Sequence, residues 1–264
     1  MPEGHTIHRL AKDLAKDLRH HEIAASSPQG RFAESAARFD GAVLTRTEAW
    51  GKHLFSWWDN GELLHVHLGL IGKWRRRPTP PPAPVGAVRL RLEGPDHTWD
   101  LSGPTTCRLV TPGDRDKVVD ELGPDPLRRN ADPDRFAANL ARRKVPIGQA
   151  LLDQKVVAGI GNVYRAELLF ICGIHPLVPA NELDRTEVDA LWDEMVAQLK
   201  AGVRRNRIVT IDPAFIGKPL SRLRRDESVW VYKREHCRRC GSELESYELG
   251  GRRINACPVH QPRP

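Results

Sequence analysis

An amphipathic helix is predicted at the start of the chain. Apolar side chains recur every three or four residues from position 7 to position 18, which places them on one helical face. They are Ile7, Leu10, Ala11, Leu14, Ala15 and Leu18. Because this helix follows directly after Pro2, Glu3 and Gly4, we expect its positive N-terminal end close to Pro2 and Glu3.

Short segments typical of β-strands follow between about residues 40 and 110. They read AVLTRTEAW, KHLFSWW, ELLHVHLG, AVRLRLEG, HTWDL and TCRLV, and turn residues separate them. Several short strands with this spacing predict an antiparallel sandwich or barrel. The stretch RRRPTPPPAPVG (75–86) contains five prolines and indicates an exposed, stiff loop between two strands.

Helical spacing replaces the strand pattern after Pro112. It occurs in DPDRFAANLA (132–141), IGQALLDQK (147–155), NVYRAELLFICG (162–173) and TEVDALWDEMVAQLK (186–200). Helices that follow strands as a block, without alternating with them, predict separate β and α regions. The chain is therefore expected to be an α+β protein with more than one domain.

The charge of the chain indicates a polyanionic partner. The net charge is +7, and thirteen Lys and Arg against seven Asp and Glu lie between Arg204 and Arg253. Such a basic segment suits nucleic acid or an acidic membrane surface. No apolar run reaches the roughly 20 residues that a membrane span needs, and no signal-peptide core follows Met1. We therefore expect a cytoplasmic protein.

The tail contains the strongest local motif, a set of four metal ligands. Cys237 and Cys240 form one pair, and Cys257 and His260 form another after an interval of 16 residues. A gap of two residues lets one tight turn aim both side chains at the same ion, and this donor set suits tetrahedral Zn²⁺. Four protein ligands leave no open position, so we expect a structural zinc that stabilises a ribbon too small for its own core. Free thiols at chance spacing are the alternative.

A glycine-containing connection joins two apolar helices in LLDQKVVAGIGNVYRAELLFICGIHP (151–176). Gly159 and Gly161 would allow a positive φ and a close approach of the backbone to a ligand. Exposed amides at the start of the second helix, with the side chain of Asn162, would form a phosphate site. A plain helical hairpin with glycines for packing explains the same residues, and both interpretations stay open.

The pair Pro2 and Glu3 also has two interpretations. Proline is tolerated in the first turn of a helix, so the pair can mark a helix start. Removal of Met1 would instead leave a secondary amine on Pro2, and such an amine attacks aldehyde carbons to give a cationic iminium. The first ten residues do not decide between these interpretations.

Four motifs in order resemble one family over essentially the whole chain: the N-terminal PEG, the GKHLF strand, the LLDQKVVAGIGNVY helix pair and the CxxC-x16-CxxH tail. The family is that of formamidopyrimidine-DNA glycosylase and endonuclease VIII, bifunctional DNA glycosylase/AP lyases of base excision repair. The resemblance implies an N-terminal antiparallel β-sandwich with an N-terminal helix (1–115), a helix-two-turn-helix domain (122–225) and a zinc-finger β-hairpin (228–264). It implies damaged double-stranded DNA as the partner of a monomer, with no membrane partner.

The resemblance also implies catalytic roles for four residues. Pro2 would be the nucleophile at C1′ of the damaged nucleotide, and Glu3 would be the acid that protonates the ring oxygen of the sugar. Lys52 would contact phosphate and take part in the proton transfers of β-elimination. Arg252 would bind the phosphates beside the lesion and assist δ-elimination.

Three further residues are implied to bind DNA. Asn162 corresponds to the phosphate-binding asparagine of the helix pair, and Lys155 is expected to contact DNA from the same stretch. Leu70 in HLGLIG corresponds to an apolar wedge that fills the space left by the flipped base. Such wedges offset an unstacking cost of a few kcal/mol per step.

The chain departs from the family pattern at several positions. His5 and Thr6 stand where PELPE or PEGPE is common, so a second glutamate is missing and the later elimination steps stay open. His260 replaces the usual cysteine, which zinc accepts. PTTCR (104–108) lacks the Arg-Phe motif of the 8-oxoguanine branch, which favours oxidised pyrimidines as substrates. A preference for formamidopyrimidine or 8-oxoguanine and a non-catalytic damaged-DNA-binding protein are the alternatives.

Overall fold

The chain divides after Glu121 into two units, Met1–Glu121 and Leu122–Pro264. The computed structural model describes residues 2–224 and 226–263, so the expected removal of Met1 lies outside the described residues. The expected finger (228–264) falls in the same unit as the helices, and the boundary between them stays a prediction. Within the described ranges, no helix combines the length and the apolar character that a membrane span requires.

Strands dominate the first unit. Its elements are α1 (Gly4–Leu18), β1 (Ala24–Ser26), α2 (Ala33–Ala37), β2 (Leu44–Trp50), β3 (His53–Trp58), β4 (Leu63–His67), β5 (Lys73–Pro78), β6 (Val88–Glu93), β7 (His97–Ser102), β8 (Thr106–Leu109) and α3 (Pro112–Asp120). The strands form two four-stranded antiparallel sheets, in the orders β1-β6-β7-β5 and β2-β3-β4-β8. The predicted sandwich is confirmed.

The apolar stripe of α1 packs into the core of this sandwich. Ile7, Leu14 and Leu18 are buried and belong to one cluster with side chains of both sheets. Burying an apolar side chain of this size stabilises a fold by about 1.5–3 kcal/mol. Core packing therefore fixes the helix, and with it the position of its N-terminal end.

The proline-rich loop is shorter than the sequence indicated. Residues 75–78 belong to β5, which pairs with β7 at the edge of its sheet. The side chain of Trp74 is buried, and that of Arg76 forms an ion pair of 2.6 Å with the buried carboxylate of Asp17. Pro78 is the last residue of this edge strand, where a missing N–H costs no ladder hydrogen bond. The run of three arginines made this strand hard to recognise from the sequence, because Trp74 is its only buried apolar side chain.

Helices dominate the second unit. Its elements are α4 (Pro133–Ala141), α5 (Ile147–Ala150), α6 (Asn162–Ile171), α7 (Arg185–Arg205), α8 (Pro213–Ile216), β9 (Glu245–Leu249), β10 (Arg252–Ala256) and short 3-10 helices at Ala180–Glu182 and Leu220–Arg222. Strands β9 and β10 form an antiparallel hairpin. Cys237, Ile254 and Cys257 share one core cluster with the buried residues of α6 and α7, so the hairpin region packs on the helices.

The first helix of the expected pair ends earlier than its apolar spacing indicated. Helix α5 stops at Ala150, and residues 151–161 form turns. Asp153 Oδ1 accepts a hydrogen bond from the Lys155 N–H at 2.9 Å, and Gln154 Oε1 accepts one from the Gly159 N–H at 3.0 Å. Such side chains offer backbone groups an alternative to the helical ladder, which explains the early stop.

One of the two glycine expectations in this turn is wrong. Gly159 has a positive φ of 95°, as the sequence predicted. Gly161 has φ −126° and ψ −161°, which is extended backbone, and it is the N-cap residue of α6. Gly161 therefore does not need the left-handed region.

Candidate functional site

The N-terminal pair lies at the start of α1 but does not use its side chains to cap that helix. Glu3 is the N-cap residue, and its carbonyl oxygen accepts a hydrogen bond from the Thr6 N–H at 2.9 Å. Its carboxylate makes no capping hydrogen bond, although the residue is only 1% exposed. Pro2 is half-buried and precedes the cap, so it is not a first-turn proline. Helix initiation therefore does not explain this buried carboxylate.

Lys52 lies at the same end of a sheet as the turn that contains Leu70. It is half-buried in the two-residue connection between β2 and β3. The next residue, His53, pairs with His67, which is the last residue of β4. Because antiparallel neighbours run in opposite directions, the start of β3 and the end of β4 lie at the same end of the sheet. The strand register thus brings Lys52 close to the turn at residues 68–72.

This turn presents two neighbouring apolar side chains. The Gly69 N–H donates to His67 Nδ1 at 3.2 Å, and Gly69 has φ +65°. A Cβ at position 69 would lie 1.9 Å from Thr105 Oγ1, so only glycine fits. Leu70 is 58% exposed and Ile71 is 80% exposed. Sequence reasoning selected Leu70 and missed Ile71, although the GLIG pattern shows two apolar residues between glycines.

Three histidines line the strands next to Lys52. His53 Nδ1 and His65 Nε2 are 2.9 Å apart, and the ring centroids of His53 and His67 are 4.8 Å apart. Burial lowers the pKa of His53 to about 3 and the pKa of His65 to about 4. Burial, followed by the nearby Lys52 ammonium, also lowers the pKa of His67. These imidazoles are neutral at pH 7 and add no positive charge to that of Lys52.

The sequence interpretation missed this histidine group. In ELLHVHLG the two histidines are two residues apart, which places them on one face of a strand. The pairing of β3 with β4, which brings His53 beside them, is a property of the sheet register.

Asn162 is the first residue of α6, as expected, but its side chain is buried. Its Nδ2 donates to the Arg253 carbonyl at 3.2 Å, and its Oδ1 accepts from Arg165 Nε at 2.9 Å. The Asn162 side chain, expected as a phosphate donor, is thus engaged in a link between α6 and β10. Lys155 is exposed on the turn between α5 and α6.

Arg252 is the first residue of β10 and is half-buried. Its carbonyl accepts a hydrogen bond from Arg165 Nη2 at 2.9 Å. Asn162 and Arg252 are therefore brought together through the guanidinium of Arg165, which sequence reasoning did not select. The available signal was a pair of charged residues, Arg165 and Glu167, within the otherwise mainly apolar helix NVYRAELLFI.

The four expected metal ligands converge in the second unit. The ligand atoms of Cys237, Cys240, Cys257 and His260 all lie within 4.8 Å of one another. Cys240 Sγ and Cys257 Sγ are 3.6 Å apart, close to the roughly 3.8 Å that two thiolates adopt on tetrahedral zinc with bonds of about 2.3 Å. His260 Nε2 is buried and has no hydrogen-bond partner among the described residues. A metal ion would satisfy that nitrogen, so the cluster fits a four-coordinate metal.

Two family models match this chain. The formamidopyrimidine-DNA glycosylase N-terminal domain matches residues 1–107, and the formamidopyrimidine-DNA glycosylase H2TH domain matches residues 122–212. Endonuclease 8 1 of Mycobacterium tuberculosis is 43% identical over 267 residues, with 99% of this chain and 100% of that protein covered. Formamidopyrimidine-DNA glycosylase of Gloeobacter violaceus is 30% identical over 288 residues, with 99% and 98% covered.

A solved structure has the same fold. The complex of Lactococcus lactis Fpg with DNA that contains N7-benzyl-Fapy-dG superposes with a TM-score of 0.82 at 23% sequence identity. The match covers 99% of this chain and 100% of that one. The expected α+β architecture is confirmed over essentially the whole length.

The buried histidines predict a loss of stability in mild acid. Because the folded protein keeps His53 and His65 neutral, the unfolded chain binds more protons than the folded chain from about pH 6.5 down to about pH 4. The free energy of unfolding should therefore fall as the pH drops through this window, by up to about 1.4 kcal/mol per pH unit for each histidine.

Thermal unfolding between pH 7 and pH 5 tests this expectation. The double variant His53→Gln, His65→Gln should show a shallower fall of Tm than the unmodified protein, whereas replacement of the exposed His21 by Gln is the matched control. Equal slopes in all three proteins would mean that these buried imidazoles are not the source of the acid sensitivity.

Proposed function

This chain belongs to the formamidopyrimidine-DNA glycosylase family, in its endonuclease 8-like branch, and on that premise we propose that it is a bifunctional DNA glycosylase/AP lyase. In this proposal it excises oxidised bases from double-stranded DNA, with oxidised pyrimidines preferred, and then cleaves the strand. The observation that carries the proposal is the 43% identity to endonuclease 8 over the full length, in a chain that keeps Pro2, Glu3 and Lys52.

Pro2 supplies the nucleophile in the proposed mechanism. Once Met1 is removed, the nitrogen of Pro2 forms a bond to C1′, and the bond from C1′ to the base breaks. Glu3 donates a proton to the ring oxygen as the sugar opens, which leaves a cationic iminium between Pro2 and C1′. The buried carboxylate of Glu3, which does not cap α1, supports this role.

The iminium then makes strand cleavage possible. It withdraws electrons from C2′, so that a C2′ proton is lost and the bond between C3′ and its phosphate oxygen breaks in β-elimination. Lys52 steadies phosphate and assists these proton transfers, beside imidazoles that are neutral. Arg252 binds the phosphates beside the lesion and favours the later break at C5′, the δ-elimination.

Contacts to DNA beyond the reacting nucleotide come from both units. Leu70, on its exposed turn, fills the space that the flipped base leaves. Asn162 contacts a phosphate from the start of α6, and Lys155 contacts one from the turn before it. For Asn162 the proposal requires the second Nδ2 hydrogen, because the first is directed at the Arg253 carbonyl.

The metal in this proposal is a structural Zn²⁺ held by Cys237, Cys240, Cys257 and His260. All four ligands come from the protein, so the ion has no open position for substrate. Its role is to hold the ends of the finger segment together where the chain has little regular structure of its own.

Borohydride trapping tests the proposed nucleophile. Processed protein that begins at Pro2 should form a covalent adduct with a duplex that contains an abasic site, because borohydride reduces the iminium to a stable amine. Denaturing electrophoresis measures the adduct, and mass spectrometry of the peptide assigns it to Pro2.

Protein with one additional residue before Pro2 is the matched control, because its secondary amine is blocked while every residue from Pro2 onward is the same. If the blocked protein traps abasic DNA as well as the processed protein does, then Pro2 is not the nucleophile. Lys52 would then be the first lysine to replace.

A panel of duplexes with single defined lesions distinguishes a preference for oxidised pyrimidines from a preference for formamidopyrimidine or 8-oxoguanine. Absence of both trapping and excision on every duplex would indicate a DNA-binding protein without catalytic activity.

Removal of one metal ligand is expected to destabilise the second unit and to leave the stability of the first unit unchanged. Cys237→Ser should lose the zinc and most of the DNA affinity, because the finger segment loses its cross-link, while the first unit stays folded. Atomic absorption measures the metal, and thermal unfolding measures the fold. The matched control is Cys172→Ser, outside the cluster, which should keep one zinc per chain. Absence of zinc in freshly purified unmodified protein would contradict the prediction.

Leu70→Ala is expected to reduce base excision from duplex DNA by about tenfold, which corresponds to about 1.4 kcal/mol of lost wedge contact. The same variant should act on a single-stranded substrate almost as well as the unmodified protein, because no stacked partner has to be replaced. Val85→Ala removes an exposed apolar side chain elsewhere and serves as the control. An equal loss on both substrates would argue against a wedge.

A further inference from the structure

A buried arginine connects the helix that contains Asn162 with the hairpin that contains Arg252. Arg165 has no exposed surface. Its Nε donates to Asn162 Oδ1 at 2.9 Å. Its Nη1 donates to the carbonyls of Gly148 (2.6 Å) and Leu249 (2.9 Å), and its Nη2 donates to the carbonyl of Arg252 (2.9 Å). One side chain therefore joins α5, α6 and both strands of the hairpin.

Two of these contacts lie at the tip of the hairpin. Leu249 is the last residue of β9 and Arg252 is the first residue of β10; the two residues pair, and a two-residue glycine turn joins them. Nη1 of Arg165 binds the carbonyl on one side of the turn and Nη2 binds the carbonyl on the other. The Asn162 Nδ2 adds a bond to the next carbonyl, that of Arg253. Side chains of α6 thus bind the tip at three carbonyls, those of Leu249, Arg252 and Arg253.

The metal cluster cannot provide this fixation. Cys257 follows the far end of β10, five residues from Arg252. At about 3.3 Å per residue, the cluster is roughly 16 Å along the strand from the tip. A metal held by the cluster would secure the base of the hairpin, and a separate contact is needed to secure its tip.

The chemistry of arginine suits this task. The guanidinium presents its N–H groups in a planar fork, which reaches carbonyls on different elements at the same time. A lysine ammonium is a point charge and does not bridge such a set. Burial of a charged group is expensive unless its hydrogen bonds are satisfied, and here the acceptors come from α5, α6 and the hairpin at once.

We propose that Arg165 is a positioning residue that fastens the hairpin tip to α6 in the free protein, so that the Arg252 side chain meets a DNA phosphate already oriented. This inference rests on the proposed function, because it takes from that proposal the contact of Arg252 with phosphate. A tip ordered before binding pays no ordering entropy on binding, so the contact contributes more affinity.

A double-mutant cycle on DNA binding tests the inference without requiring catalysis. The proteins are unmodified, Arg165→Lys, Arg252→Ala and the double variant, and the probe is a duplex with a tetrahydrofuran abasic analogue. Removal of one phosphate contact should reduce the slope of log affinity against log salt by about 0.9. We expect Arg252→Ala to show this change, Arg165→Lys to weaken binding by about tenfold with a smaller slope, and the double variant to be no weaker than Arg252→Ala.

Arg91→Lys is the matched control, because Arg91 is a buried arginine of the first unit that pairs with Asp100 at 2.7 Å. It should leave the salt slope unchanged. Additive losses in the cycle, or an unchanged slope in Arg165→Lys, would overturn the positioning role. Borohydride trapping is measured in parallel on the unmodified protein, so that a failure of the lyase proposal is visible apart from the binding cycle.

A second measurement needs no substitution. Hydrogen exchange followed by mass spectrometry should show slow exchange in peptides covering residues 249–253 of the free, zinc-loaded protein. Zinc is quantified in the same samples to show that the base of the hairpin is intact. Fast exchange at the tip before DNA is added would overturn the inference, since the tip would then be ordered only by DNA.

Discussion

Buried charge on α6 organises the second unit. Glu167 accepts hydrogen bonds from the backbone N–H groups of Trp230, Val231 and Tyr232 and from the hydroxyl of Thr210. Two residues earlier, Arg165 donates to carbonyls of α5 and the hairpin. A buried carboxylate or guanidinium must have its hydrogen bonds satisfied, because an unsatisfied charge in the interior costs several kcal/mol. The segments that satisfy them are held in place as a result.

This requirement explains how a region with little regular structure adopts one conformation. Residues 226–263 contain one short hairpin and otherwise turns and extended backbone. Apolar packing against α6 and α7 attracts this region to the helices but is not directional. Hydrogen bonds to Glu167 and Arg165 are directional, and a metal held by the four clustered ligands would add a third point of attachment. Together they determine where Arg252 lies relative to Asn162.

In the first unit, strand register has the corresponding role. The pairing of His53 with His67 brings the β2–β3 connection and the turn after β4 to the same end of the sheet. The start of the exposed turn is anchored, because Gly69 fits against Thr105 and its N–H donates to His67 Nδ1. A basic side chain and a pair of exposed apolar side chains thus lie on a packed sandwich, which suits a surface that holds a distorted DNA duplex in the proposed function.

Several features could be predicted from the sequence because they depend on neighbours along the chain. The apolar period of three to four residues predicted α1, and several short strand-like segments separated by turn residues predicted the sandwich. Two cysteine-containing pairs at a gap of two residues predicted a metal cluster, because the short turns themselves aim the ligands. The order of the motifs also indicated the family, which the matches confirm over both units.

Other features were decided only by tertiary structure, because they depend on residues far apart in the chain. Side chains of Asp153 and Gln154 bind local backbone and end α5 early, although the apolar spacing continues. The β3–β4 pairing brings His53 beside His65, and burial, which no local pattern reports, makes both neutral. The hairpin carbonyls that bind Arg165 come from residues more than 80 positions later in the chain, so no local pattern around Arg165 reports its burial.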